Sequence, residues 1–443
     1  MDEAQALELA ARILAEARAA GAESAEASVS IAARMHVEAL AETIARLENS
    51  RSCSMLLRVF KNGRKATLAT SDASLEGVRD AVRRAVAHAD LVAHDGCAGL
   101  PEKVATELPS LHLHDDAVSA RLETEKTQEP LELERLVRRE DARVVNSAGS
   151  HYSDTNAVSA LANSNGFSAA YPWTRIMRSS APVALDGSIK RVGHYGTAGR
   201  HLDDLESLHA VAAKATRRAV DLFGARKPST MRVPVIFERD VAASVLEDLF
   251  AAASGSNVAT GNSWLAGRIG QRVGSELVTI VDDGRLPGRL GSAPFDGEGV
   301  ATRRTIVFED GVLQTYLYDS YYARKLKAAS TGNSTGTGIG PTNFYLEPGA
   351  QTLDELIART QRGVLVTDTI GFATEHASGT YSRGARGFFI EGGEPAYPID
   401  EFTIAARYPE MLAGVDAVAD DLRFDGAIVS PSFRIAEMTV SGN

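Results

Sequence analysis

Apolar positions Leu7, Leu9, Ala10, Ile13, Leu14 and Ala17 recur at helical spacing and predict an amphipathic helix over 2–20, ended by Gly21. Val29 and Ile31 alternate with serines and predict a strand, which Met35, Val37 and Ala39 either prolong or follow with a second one. Asn62-Gly63 sits between the strand-like runs 54–60 and 64–70, a strong hairpin signal. Ser71-Asp72 offers an N-cap to a helix reaching about Asp90, with Leu75, Val78, Val82 and Val86 inward. The charge-dense stretch 122–142 is expected to be a solvated helix face. Short apolar alternations over 144–199 predict a strand meander, and 203–223 a further helix.

Gly224 to Thr230 combines a helix-ending Gly, two cations and Pro228, and marks a linker. Beyond it the pattern predicts a strand at 233–237, a helix over 240–253 and a strand at 276–281. Hairpins follow across Asp310-Gly311 and across 391–394, and a closing strand over 432–440. The expected class is α+β. A sandwich-like α/β domain over 1–223 leads, through 224–230, into a β-rich domain over 231–443 with mainly antiparallel sheet.

Composition narrows the function. The 443 residues carry 47 Lys plus Arg against 58 Asp plus Glu, a net charge of −11. Such a chain repels phosphate backbones, so no nucleic-acid partner is expected. No run approaches the ~20 apolar residues of a membrane span, and Asp2-Glu3 is acidic where a signal peptide is basic. The expectation is a cytoplasmic protein without a membrane partner. The two cysteines, Cys53 and Cys97, build neither a disulfide framework nor a Cys-rich zinc site. Only His376 of the ten histidines lies beyond residue 209, so the C-terminal half is poor in transition-metal ligands.

Several motifs test for chemistry. Gly332-Asn333-Ser334-Thr335-Gly336 matches a nucleophile elbow, but neither the strand before it nor the helix after it is predicted. A flexible loop is the alternative, whose backbone amides, as at Gly336 and Gly338, can line a binding groove. Glu375-His376 could form an acid–base or metal-ligand pair, with a structural histidine as the alternative, and Asp282-Asp283, Glu298 and Asp420-Asp421 could supply oxygen ligands to a hard cation. Turn and cap duties explain these better. His112 and His114 would share one face of a strand, but surface positions are expected.

Longer blocks carry a resemblance. Met231 to Phe237, Ser292 to Val300, Ser330 to Asn333 and above all Tyr381 to Glu394 resemble the TldD/PmbA family, in its PmbA or TldE branch. The N-terminal blocks Lys61 to Arg64 and Thr70 to Asp72 agree, so the resemblance spans essentially the whole chain. It implies one subunit of a two-subunit peptidase that degrades unfolded peptides or trims leader peptides. In that system the TldD-type subunit holds zinc with a His-Glu-x-x-x-His helix and a cysteine. The corresponding positions here are Leu246, Glu247 and Ala251, so only the glutamate remains and no metal is expected in this chain. The resemblance thus implies a non-catalytic subunit whose TldD-like partner carries the zinc. Asn333, Ser334, Gly336, Gly338, Tyr381, Arg383 and Gly384 are the candidate peptide-binding residues. A structural salt bridge is the competing role for Arg383. Two other readings are a stand-alone homodimeric peptide-binding scaffold and a metal-independent hydrolase using Ser334.

Overall fold

The computed structural model describes residues 2–371 and 374–442. The N-terminal part is one antiparallel sheet. Its strands run, in spatial order, Arg64–Thr70, Thr43–Lys61, Ser24–Leu40, Val144–Asn163, Ser168–Asp186 and Ile189–Val192, with Tyr195–Gly199 also paired to Ser168–Asp186. Helices Glu3–Ala19, Leu75–Leu91, Glu123–Glu140 and Leu208–Val220 cover one face. The first starts where Asp2 and Gln5 form a capping box, and it buries Ala6, Leu9, Ala10, Ile13 and Ala17. These pack on Ala25, Ala27, Val29, Ile31, Met55, Leu57 and Val59, alternate residues of two neighbouring strands. The other residues of those strands form an open face that turns toward the C-terminal part.

The structure redraws several predicted elements. Met35, Val37 and Ala39 continue the first strand, which runs unbroken from Ser24 to Leu40. Its partner begins at Thr43, eleven residues before the expected start at residue 54. Asn62 and Gly63 both have positive φ, as a two-residue hairpin turn requires. Ser74 caps the next helix, while Asp72 accepts from the Ser74 amide just outside it. The predicted helix over 203–223 is shorter, because Leu202–Asp204 is a 3-10 turn and Ser207 caps the helix at Leu208.

The charged helix Glu123–Glu140 is not simply solvated. Leu133, Leu136 and Val137 pack on Val211, Ala212 and Ala215. Glu129 is buried between Arg121 and Arg178, and fully buried Glu134 accepts from the Ser147 and Ser150 hydroxyls. Its charges read as solvent-facing in sequence because their partners lie on other elements.

The C-terminal part holds two sheets and the helix Arg239–Ala253. One sheet orders Val312–Leu313, Arg304–Glu309, Ile280–Asp283, Phe344–Leu346 and Ile428–Val429. In the other, Arg362–Ile370, Met231–Phe237, Phe433–Ser441, Glu394–Arg407 and Thr380–Glu391 close on themselves, since the first and last also pair. Among the described residues, the strands of these two sheets pair antiparallel except 364–366 on 235–237 and 344–345 on 428–429. The largest core brings Val245, Leu246 and Leu249 of the helix against Val278, Ile280 and Phe344 on one side and Phe237, Phe433 and Ile435 on the other. The architecture is α+β with mainly antiparallel sheets. The predicted strand over 276–281 starts only at Ile280, and the second arm of the 310–311 hairpin is two residues long.

Candidate functional site

The open face of the N-terminal sheet meets the C-terminal part through an ionic bolt. Arg58, from the strand Thr43–Lys61, reaches three acceptors. Its Nε donates to Glu26 Oε1 at 2.9 Å, its Nη1 to Glu298 Oε1 at 2.9 Å and its Nη2 to the Gly297 carbonyl at 3.0 Å. The three side chains are at most 6% exposed. Burial pushes Glu26 up to about 7 even though Arg58 pulls the other way. Glu298 also accepts from the Ser320 amide through Oε2.

Next to the bolt, Asp296 ties two loops together. Its Oδ1 accepts from the Glu298 and Val300 amides and its Oδ2 from the Ser334 amide. Burial, with Glu298 beside it, pushes this carboxyl up to about 8 against those three donors. Gly297 and Gly336 approach so closely that a Cβ on Gly297 would lie 2.3 Å from the Gly336 nitrogen. Asn333 donates to Asp282 Oδ2 at 2.7 Å and to the Gly340 carbonyl at 3.0 Å. Fully buried Asp282 also accepts from Thr342, and burial raises it to about 6.

The loop 332–340 is therefore a pinned structure rather than a flexible one. Ser334 Oγ accepts from the Gly336 amide at 3.1 Å, and the segment leads into no helix. A nucleophile elbow needs a strand before the serine and a base beside it, and neither is present among the described residues. Between this loop and the sheet lies a cavity of about 430 Å³, lined by Ser28, Ser30, Leu56, Phe295, Asn333 and Ser334 among others. Gly338 sits at the loop tip with open space around it.

Tyr381, Arg383 and Gly384 are elsewhere, on the strand Thr380–Glu391. Arg383 donates to Asp248 Oδ2 at 2.7 Å, and both side chains are nearly buried. The Tyr408 and Thr374 hydroxyls donate to the same oxygen. Tyr381 is fully buried, edge-on to Phe237 and Tyr408. Arg383 thus anchors the helix Arg239–Ala253 to the closed sheet. Among the described residues no hydrogen bond or ion pair links this group to the loop 332–340, so the sequence candidates fall into two separate places.

That helix also carries Leu246, Glu247 and Ala251, the positions where the resemblance places the zinc motif. Leu246 is 1% exposed and faces an apolar cluster of Val278, Ile280, Met411, Phe433 and Ile435, with room for about 10 Å³. Ala251 is half-buried, and Glu247 is exposed with no ion-pair partner among the described residues. Leu and Ala offer no lone pair, so this donor set does not fit a zinc ion.

The other sequence candidates have local duties. His112 adopts φ +50 in an irregular segment, so it shares no strand with His114, which lies near Ser119 and Asp116. Glu375 accepts from Ser378, and the His376 carbonyl accepts from the Trp264 amide. Asp283 caps the Arg285 amide, and Asp421 holds Ser432. The Asp420 amide donates to Gln351. Both cysteines are free.

Sequence reasoning missed Arg58 and the pairing role of Asp296. Nothing local marks them, because Arg58 and Glu298 are 240 residues apart. It also missed the free edge of Thr43–Lys61. Residues 55–61 pair with Arg64–Thr70 on the outer side, but 43–54 pair only with Ser24–Leu40, and 43–52 are exposed.

Comparison with known proteins places these features. Three family models match, described as PmbA/TldA metallopeptidase domain 1 over residues 25–89, central domain over 121–223 and C-terminal domain over 230–442. The metalloprotease PmbA homolog of Haemophilus influenzae is 33% identical over 425 residues, covering 95% of this chain and 92% of the relative. Metalloprotease PmbA of Escherichia coli O157:H7 is 30% identical, with 95% and 92% covered. The crystal structure of TldE from Thermococcus kodakarensis shares the fold, with a TM-score of 0.88 at 21% identity, covering 98% of this chain and 100% of that one.

Proposed function

This chain belongs to the PmbA/TldD metallopeptidase family, and on that premise we propose that it is the non-catalytic subunit of a two-subunit zinc peptidase. The observation that carries the reading is the helix Arg239–Ala253. Its zinc-motif positions hold Leu246 and Ala251, and Leu246 is 1% exposed within an apolar core that offers no donor atom. Glu247 keeps the place of a general base but has no metal-bound water to act on.

The chain would then contribute substrate space rather than chemistry. The open sheet face and the pinned loop 332–340 flank a cavity where small polar side chains and backbone mix with apolar Leu56, Leu161 and Phe295, which suits an unfolded peptide of mixed sequence. The unpaired edge at 43–54 could take an extended strand through main-chain hydrogen bonds alone. Arg383, which is committed to Asp248, serves this role only indirectly by holding the helix.

Zinc and acid–base catalysis would come from a TldD-like partner. Co-expression with such a subunit tests the assembly. An equimolar complex on size exclusion is the expected result. A lone homodimer that still captures peptides would favour the scaffold reading instead.

A further inference from the structure

The strand Ser24–Leu40 projects His36 and Glu38 from the open face of the N-terminal sheet, since residues two apart share a face. His151 lies directly across from Glu38 on Val144–Asn163, at the separation where opposed side chains touch. One ligand atom from each of the three lies within 4.8 Å of the others. Among the described residues this is the one group of three His, Cys, Asp or Glu side chains so arranged. We propose that His36, Glu38 and His151 form a binding site for a divalent transition metal, zinc being the best fit to a His2Glu donor set.

Three further observations support a site rather than a chance cluster. First, the backbone leaves room for it. Gly149 stands at a register shift in the strand, and a Cβ there would come within 3.0 Å of His151 Nε2 and 3.2 Å of Glu38 Oε1. A bulge re-aims the side chains that follow it, and the missing Cβ lets these two atoms converge. Second, the donors have no other employment. Neither the His151 ring nor the Glu38 carboxylate makes a hydrogen bond or ion pair among the described residues, the buried His151 Nδ1 included. The cation opposite Glu38 on the next strand, Arg46, pairs with Glu48 instead. Third, the two imidazoles lie 5.6 Å apart at an interplanar angle of 22°, so the two rings are already direct neighbours.

Ligands of tetrahedral zinc at about 2.0–2.2 Å lie roughly 3.3–3.6 Å apart, so side-chain rotations that move each ligand atom by about 1 Å complete the site. All three ligands come from one sheet face, which leaves the fourth position to water or to a group over that face. The site lies in the N-terminal half, on different elements from the helix Arg239–Ala253. Its existence is independent of whether the chain pairs with a zinc-bearing subunit.

Equilibrium dialysis of the purified full chain against Zn²⁺ tests the site, with Co²⁺ absorption as a second readout. The expected result is one Zn²⁺ per chain and a tetrahedral Co²⁺ spectrum. His151→Ala, His36→Ala and Glu38→Gln should each weaken binding at least tenfold, while His88→Ala, at an exposed helix position, leaves it unchanged. The ligand positions are only half-buried, so circular dichroism should show all four variants folded. Absence of stoichiometric binding, or binding that survives all three ligand substitutions, would overturn the proposal.

Discussion

Replacing Arg58 by Ala tests whether the ionic bolt holds the two halves together. The substitution leaves Glu26 and Glu298 facing each other, both nearly buried and without their cation. Removing one partner from a buried ion pair costs about 3–5 kcal/mol, and here two carboxylates lose the same partner. Protonation offers relief. Glu26 already stands at about 7 with Arg58 present, and losing the cation moves it higher. Each further unit recovers about 1.4 kcal/mol as the pH falls, because the neutral acid tolerates burial. The loss should therefore be about 3–5 kcal/mol at pH 8 and clearly smaller at pH 5.5. The two tryptophans report separately, Trp173 on the N-terminal sheet and Trp264 in the C-terminal part. In urea unfolding of single-tryptophan forms, the two transitions should coincide in the parent and separate in Arg58→Ala. A loss below about 1 kcal/mol at pH 8, or an equal loss at both pH values, would refute the reasoning.

Asp248→Ala strands the Arg383 guanidinium in the core and removes the acceptor of Tyr408 and Thr374. It should cost about 3–5 kcal/mol, followed through Trp264, whose ring stacks on Tyr408 at 6.1 Å. Asp248→Asn, which keeps an acceptor oxygen, should recover part of that. Gly297→Ala drives a methyl into the backbone of Gly336 and should lose about 1–3 kcal/mol in chemical denaturation, with faster proteolysis of the loop 332–340. Gly338→Ala meets no atom within 4 Å and should be silent. Asp282, Glu26 and Asp296 have folded values near 6, 7 and 8, above their unfolded ones. Their contribution is full below about pH 4 and is lost as pH rises through 6–8, so denaturation midpoints should fall from pH 5 to pH 8 once other groups are held constant.

Much of the fold was legible where a local rule decides. The Asn62-Gly63 turn, the helix over 3–19 and the hairpin across 391–394 all follow from spacing and turn chemistry. The extended edge 43–52 escaped notice because both its faces are exposed, so it shows no two-residue hydrophobic period. Glu129 and Glu134 looked solvated because their partners are supplied by other elements. The site was harder still. Ser334 and Arg383 were visible as residues, but their partners Asp296 and Asp248 lie 38 and 135 positions away. His36, Glu38 and His151 come together only through strand pairing, which no window of sequence reveals.

The central claim is that this chain supplies space for peptide and another chain supplies the zinc chemistry. Cleavage of an unstructured peptide by this chain alone, by a TldD-like subunit alone and by the two mixed addresses it most directly. Chelator-sensitive activity that appears only in the mixture is the expected result. Full activity from this chain alone would contradict the account.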